Sequence, residues 1–168
     1  PSTVWARALA TRTGLELRQA LGGWPFLSLL VLFLGGIGIE LWQNFRTNEF
    51  GTALLPTTGL VIDSLRGALM PFGLLVIVYW SAELVWRDRA VRIHEIVDAT
   101  PAPNGLFLVS KLLALSALVL ALTIAGSLEG AVLQTLLGPT RVEAELYASL
   151  VFFAALPLAL VSVLAVFL

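Results

Sequence analysis

His94 and Glu95 open an H-E-x-x-H pattern, in which two histidines one helical turn apart hold zinc and the glutamate activates a bound water. The fifth position is Asp98, and the 168-residue chain has one histidine and no cysteine. The second zinc ligand of that pattern is therefore missing, and disulfides, iron–sulfur clusters and thiol catalysis are excluded. Ser81, Ser110, Ser116 and Ser162 are scattered, none in the context of an activated nucleophile. Glu40, Glu83 and Glu129 fall at the ends of apolar runs, where an interfacial position accounts for them without an ion pathway. No G-x-x-x-x-G-K-[ST] loop is present to cradle a nucleotide. These residues predict neither an enzyme nor a resident cofactor.

Charge concentrates in one place. Glu83–Asn104, ELVWRDRAVRIHEIVDATPAPN, holds three of the ten basic residues and four of the eleven acids. Trp86, Ala90, Ile93 and Val97 recur at the spacing of one α-helical face. Glu83–Arg87 and Asp88–Arg92 are i,i+4 pairs and Arg92–Glu95 an i,i+3 pair, so the segment carries its own charge partners. Thr100-Pro101-Ala102-Pro103 ends the helix, because proline disfavours helical geometry in the residue before it, and Asn104 suits the cap of the next one. The pattern predicts a rigid charged helix and turn. It serves either as a solvated helix packed on its neighbours or as a docking element for a partner.

The surroundings of this segment are apolar. Hydrophobic residues make up 58% of the chain and charged residues 12%, with mean hydropathy +0.93. Soluble domains carry roughly 45–50% apolar and about 25% charged residues, and so short a soluble chain could not bury the excess. The net charge of −1 argues against a nucleic-acid partner. A bilayer takes about 20 apolar residues per helix, and four windows meet that requirement, at about 23–42, 65–84, 106–128 and 146–168. The predicted fold class is all-α, a polytopic transmembrane helical bundle with four spans in one partial transmembrane domain.

With the N-terminus in the cytoplasm, Arg7, Arg12, Arg18, Arg87, Arg89, Arg92 and Lys111 lie on or near the cytoplasmic side, against Arg46, Arg66 and Arg141 outside. That satisfies the positive-inside rule and sets the expected orientation. Trp24, Trp42, Tyr79, Trp80 and Trp86 fall near span ends, as an aromatic belt requires. Residues 1–22 read as a cytoplasmic or interfacial helix, either lying on the leaflet or extending span one; Arg7 and Arg18 share a face and Arg12 points elsewhere. Gln43–Ser64 is too short for a folded external domain. Ala131–Leu137, ended by Gly138-Pro139, predicts a short helix dipping into the outer interface. Ala117, Ala121 and Ala125, Ala155 and Ala159, and Gly35, Gly36 and Gly38 are positions for close helix approach. Pro71 and Pro157 are expected to kink or loosen spans two and four. The start at Pro1 and the stop within an apolar run at Leu168 predict a piece of a longer protein.

An acid and clustered arginines leaving span two, then a short helix, a proline turn and a lysine at the start of span three, resemble the type-2 ABC transporter permease family. The matching residues are Glu83, Arg87, Arg89, Asp98, Pro101, Pro103, Asn104, Ser110 and Lys111. More narrowly, Val76–Leu115 is similar to bacterial permeases of that family that are sometimes fused to a zinc aminopeptidase-like domain. The likeness continues weakly through Glu145-Leu146-Tyr147, and the first 60 residues match only in hydropathy. The resemblance implies a bacterial cytoplasmic-membrane protein with six spans per unit, pairing with a second permease half. It also implies cytoplasmic ATPase subunits, carrying ATP and magnesium, that dock on the loop between spans two and three. Glu83, Arg87, Arg89, Arg92, Glu95, Asp98 and Pro101 would be the coupling residues. Four spans depart from that pattern, as a truncated chain would. A secondary transporter or channel and a non-transporting membrane scaffold are the competing readings, and the substrate and direction of transport stay open.

Overall fold

The computed structural model describes residues 2–46, 54–90 and 104–167. They form five helices: α1 (Ser2–Leu21), α2 (Trp24–Arg46), α3 (Thr58–Ala90), α4 (Asn104–Leu137) and α5 (Ala144–Phe167). Four of them are long and apolar enough to cross a membrane, over Trp24–Arg46, Thr58–Glu83, Leu108–Leu137 and Ala144–Ala165. The fold is an all-α, polytopic membrane bundle, because an unpaired backbone group in hydrocarbon costs several kcal/mol and a helix pairs them all internally.

Helix α4 touches all four other helices, and α3 packs on α2, α4 and α5. The interior is aliphatic and aromatic: Phe33, Leu41, Leu65, Leu69, Leu115, Leu118 and Leu122 are fully buried, and Phe33 meets Phe72 edge-on with ring centroids 5.2 Å apart. Closest approach occurs at glycines. A Cβ at Gly126 would lie 3.1 Å from the Phe33 ring, and one at Gly130 would lie 2.6 Å from Leu65 Cδ1. Gly126 and Gly130 thus form a small-xxx-small seam on α4 against α2 and α3. Gly73 on α3 makes the same kind of contact with Leu158 on α5. Gly35 and Gly36, expected to serve this purpose, have nothing near their Cβ positions.

These contacts also set the register. Gly38 lies beside the Glu129 carboxylate and Gly130 beside Leu65, which puts Glu40, Arg66 and Glu129 at one level. From Arg66 to Glu83, and from Glu129 to Lys111, no ionised residue intervenes. At 1.5 Å rise per residue, these stretches define a charge-free slab roughly 25–27 Å deep, close to the ~30 Å hydrocarbon of a bilayer. Helices α3 and α4, with 33 and 34 residues, are each about 50 Å long and must overhang that slab. We call the end bearing Thr58, Leu137 and Ala144 distal, and the other proximal.

The distal overhang corrects one expectation. Ala131–Leu137 is not a separate interfacial helix but the last two turns of α4. What holds it there is Gln134, fully buried, whose Nε2 shares its two hydrogens among Thr58 Oγ1 (3.0 Å), Thr140 Oγ1 (3.2 Å) and the Arg141 carbonyl (3.1 Å). Its Oε1 accepts from the Tyr147 hydroxyl at 2.8 Å, and Thr140 donates to the Pro56 carbonyl at 2.6 Å. One amide thereby ties the start of α3, the end of α4, the α4–α5 turn and the first turn of α5. Gly138 lets the turn pass Pro56, since a Cβ there would lie 2.9 Å from the proline Cδ.

Helices α3 and α5 run on through Pro71 and Pro157; each proline removes one backbone bond without ending its helix. One further expectation changes. Trp80 is not in an interfacial belt: it is 2% exposed and stacked edge-on against Phe26 at 5.7 Å. Trp24, 82% exposed, and Trp42, with Arg46 held 4.3 Å over its ring, do occupy such positions.

Replacing Gln134 with leucine leaves Thr58, Tyr147 and the Arg141 carbonyl without their shared partner. We expect a loss of about 2–3 kcal/mol, against about 1 kcal/mol for Tyr147→Phe, which removes one bond of the set. Thermal unfolding in detergent should rank the two variants in that order, and equal midpoints would show that the amide is not the tie.

Candidate functional site

The charged segment expected to receive a partner follows α3 and precedes α4 in the sequence. Helix α3 passes through the start of the predicted docking helix without a break and reaches Ala90. Glu83, half-buried, Arg87 and Arg89 therefore lie on the last two turns of a membrane-spanning helix rather than on a separate element. Arg92, Glu95, Asp98 and Pro101, together with His94, lie outside the described residues. On the other side, α4 begins at Asn104, the position suited to its cap.

Beside the start of α4 the structure reveals a contact that hydropathy did not predict. Helix α1 packs on α4 and is separated from α2 by the Gly22-Gly23 turn, where the Gly22 amide donates to the Arg18 carbonyl at 3.0 Å. It is therefore a helix separate from span one. Glu16, 7% exposed, is held between Arg12 Nε at 3.3 Å and the Ser110 hydroxyl, which donates to the same carboxylate oxygen across a long 3.5 Å. Leu17, Ala20 and Leu21 add apolar contact with the core. Arg7 and Arg18 are exposed and Arg12 turns inward, as their spacing predicted. Lys111, next to Ser110, is half-buried.

A carboxylate removed from water is costly unless paired and hydrogen-bonded. With Arg12 and Ser110 around it, Glu16 makes α1 a brace on the first turns of α4, two turns from Asn104. One sequence signal pointed to this contact: Glu16 is the only acid before Glu40, and it stands four residues after Arg12. Its partner on α4 could not be read from spacing, because Ser110 lies 94 residues away.

Inside the slab, three polar side chains bond to their own helices. Thr123, Ser127 and Ser162 donate to the carbonyls of Leu120, Thr123 and Ala159. Among the described residues no group of three or more His, Cys, Asp or Glu comes together. An apolar groove of about 350 Å3 runs between α2 and α3, walled by Pro25, Leu29, Leu32, Phe72, Leu75 and Tyr79 among others. Its chemistry suits acyl chains or another apolar helix. The arrangement as a whole is two long helices joined in sequence by a charged segment, one of them braced at its base. Compared with models of known families, with curated proteins and with solved structures, the chain matches none.

Removing the buried carboxylate should loosen the brace. In Glu16→Ala we expect trypsin to cut faster at Arg7 and Arg12, by about tenfold if the contact contributes about 1.4 kcal/mol. Unchanged cleavage would mean that apolar packing alone holds α1.

Proposed function

We propose that this chain is the membrane-spanning permease part of an ATP-driven, ABC-type transporter in a bacterial cytoplasmic membrane. The N-terminus would lie in the cytoplasm, with ATPase subunits docking on the connection between spans two and three. The observation that carries this reading is the continuity of α3 and α4. They leave the charged 91–103 connection on either side, cross the slab unbroken, and meet again at the Gln134 tie about 50 Å away. A force applied at the connection is delivered to two stiff rods at once, and through Gln134 and Tyr147 to α5 as well.

ATP and magnesium belong to the partner in this scheme, and the permease chain contributes no chemistry to hydrolysis. Closure of the ATPase dimer presses on Glu83, Arg87, Arg89, Arg92, Glu95, Asp98 and the turn at Pro101. The movement of α3 and α4 then opens a path against a second permease half, a rigid-body form of alternating access. The likeness of Val76–Leu115 to type-2 permeases supports this reading, and the charge-free slab supports it over an ion-coupled carrier, which needs ionisable groups at mid-depth.

The test uses the full-length protein reconstituted with its ATPase. Reversing both charges in Arg87→Glu/Arg89→Glu should lower transport-coupled ATP hydrolysis by about tenfold or more while insertion and the thermal midpoint stay unchanged. Normal coupled transport in that variant would sink the docking assignment. Cross-linking from 83–104 to a partner that hydrolyses no ATP would favour a scaffold instead.

A further inference from the structure

Most of the surface grooves between the described helices have walls without charge, but Arg66 is an ionised side chain in the wall of one. It lines a groove of about 360 Å3 between α3 and α5, opposite Ser149, with Phe153, Ala154 and Pro157 continuing the wall towards the middle of the slab. Both helices start at the distal end and run the same way, so residues earlier in each sequence lie farther from the slab. Asp63 precedes Arg66 by three residues and Glu145 precedes Ser149 by four, placing an exposed acid about one turn above each on the same helix side. Arg66, Asp63 and Glu145 have no ion-pair partner among the described residues.

The groove is thus layered along the bilayer normal. It is apolar in the slab, cationic at the slab's edge, and acidic about 4.5–6 Å beyond it. We propose that this groove is a binding site for a single phospholipid with a zwitterionic, ammonium-bearing headgroup. One acyl chain lies over Phe153 and Pro157, the phosphodiester sits on the Arg66 guanidinium, and the ammonium lies between Asp63 and Glu145. The guanidinium supplies parallel donors that fit two phosphate oxygens. Ser149 commits its own hydrogen to the Leu146 carbonyl at 2.7 Å, which leaves its oxygen to accept from Arg66 rather than to compete for the phosphate. An arginine at the hydrocarbon edge without a carboxylate partner needs a counter-ion, and the phosphodiester is the anion that a bilayer offers at that depth. The two acids set the selectivity. An anionic headgroup without an ammonium would meet both of them, whereas a zwitterion completes the sequence of charges. This assignment needs only the membrane fold and stands apart from the transport reading.

Native mass spectrometry of the full-length protein, titrated with phosphatidylethanolamine or phosphatidylglycerol, tests it. We expect one phosphatidylethanolamine to be retained over phosphatidylglycerol, with Arg66→Gln weakening its binding about tenfold and Arg66→Lys restoring part of the loss. Asp63→Asn/Glu145→Gln should keep a lipid bound but abolish or invert the preference, which a merely structural role for these acids would not do. Equal retention by wild type and Arg66→Gln would overturn the site. So would a preference left intact in the double variant.

Discussion

Hydrocarbon admits neither an unpaired backbone group nor, at low cost, an ionised side chain, and every part of this bundle is arranged around a slab that contains neither. The charges that bound it, Glu40, Arg66 and Glu129 on one side and Glu83 and Lys111 on the other, lie on different helices. They reach common levels because Gly126 and Gly130 let α4 pack on α2 and α3 at a fixed register. Substituting bulk at those glycines would shift one helix along another and drag its charges off the boundary. The glycine seam and the charge levels therefore form a single constraint.

The constraint leaves α3 and α4 longer than the layer they cross. Their ends cannot be held by the fit between apolar faces alone, since water competes there. Polar contacts take over at both ends: the Gln134 amide with Thr58, Thr140 and Tyr147 distally, and Glu16 with Arg12 and Ser110 proximally. Each is well shielded, with Gln134 fully buried and Glu16 at 7% exposure. Shielding makes them strong when complete and expensive when one member is lost.

Much of this was legible beforehand. Apolar windows gave four spans, and their cores fall where the structure has them. The helical spacing of Arg7, Arg12 and Arg18 assigned the sides of α1 correctly. What could not be read were matters of partnership. Gln134, in the stretch before Gly138-Pro139, looks like the interruption of an apolar run, and only the presence of Thr58, 76 residues away, makes it the continuation of α4. Trp80 resembles a belt residue until Phe26 is placed against it. Gly35 and Gly36 have the composition of a contact seam, whereas Gly126 and Gly130 have the neighbours. The candidate docking residues divide likewise: Glu83, Arg87 and Arg89 fall on α3 as its extension, and the rest lie outside the described residues.

Among the described residues, the hydrogen bonds that join side chains of different helices sit at one end or the other; between the ends, polar side chains such as Thr123 and Ser127 bond to their own helix. The bundle is built like a cask, hooped at the rims and plain along the staves. Parting two staves at mid-depth breaks dispersion contacts that lipid chains can replace, and no side-chain hydrogen bond between the described residues has to be broken to do it. Sideways gaps in the middle are therefore cheap while sliding along the axis is resisted, so a molecule entering from the lipid finds compliant walls held in strict alignment.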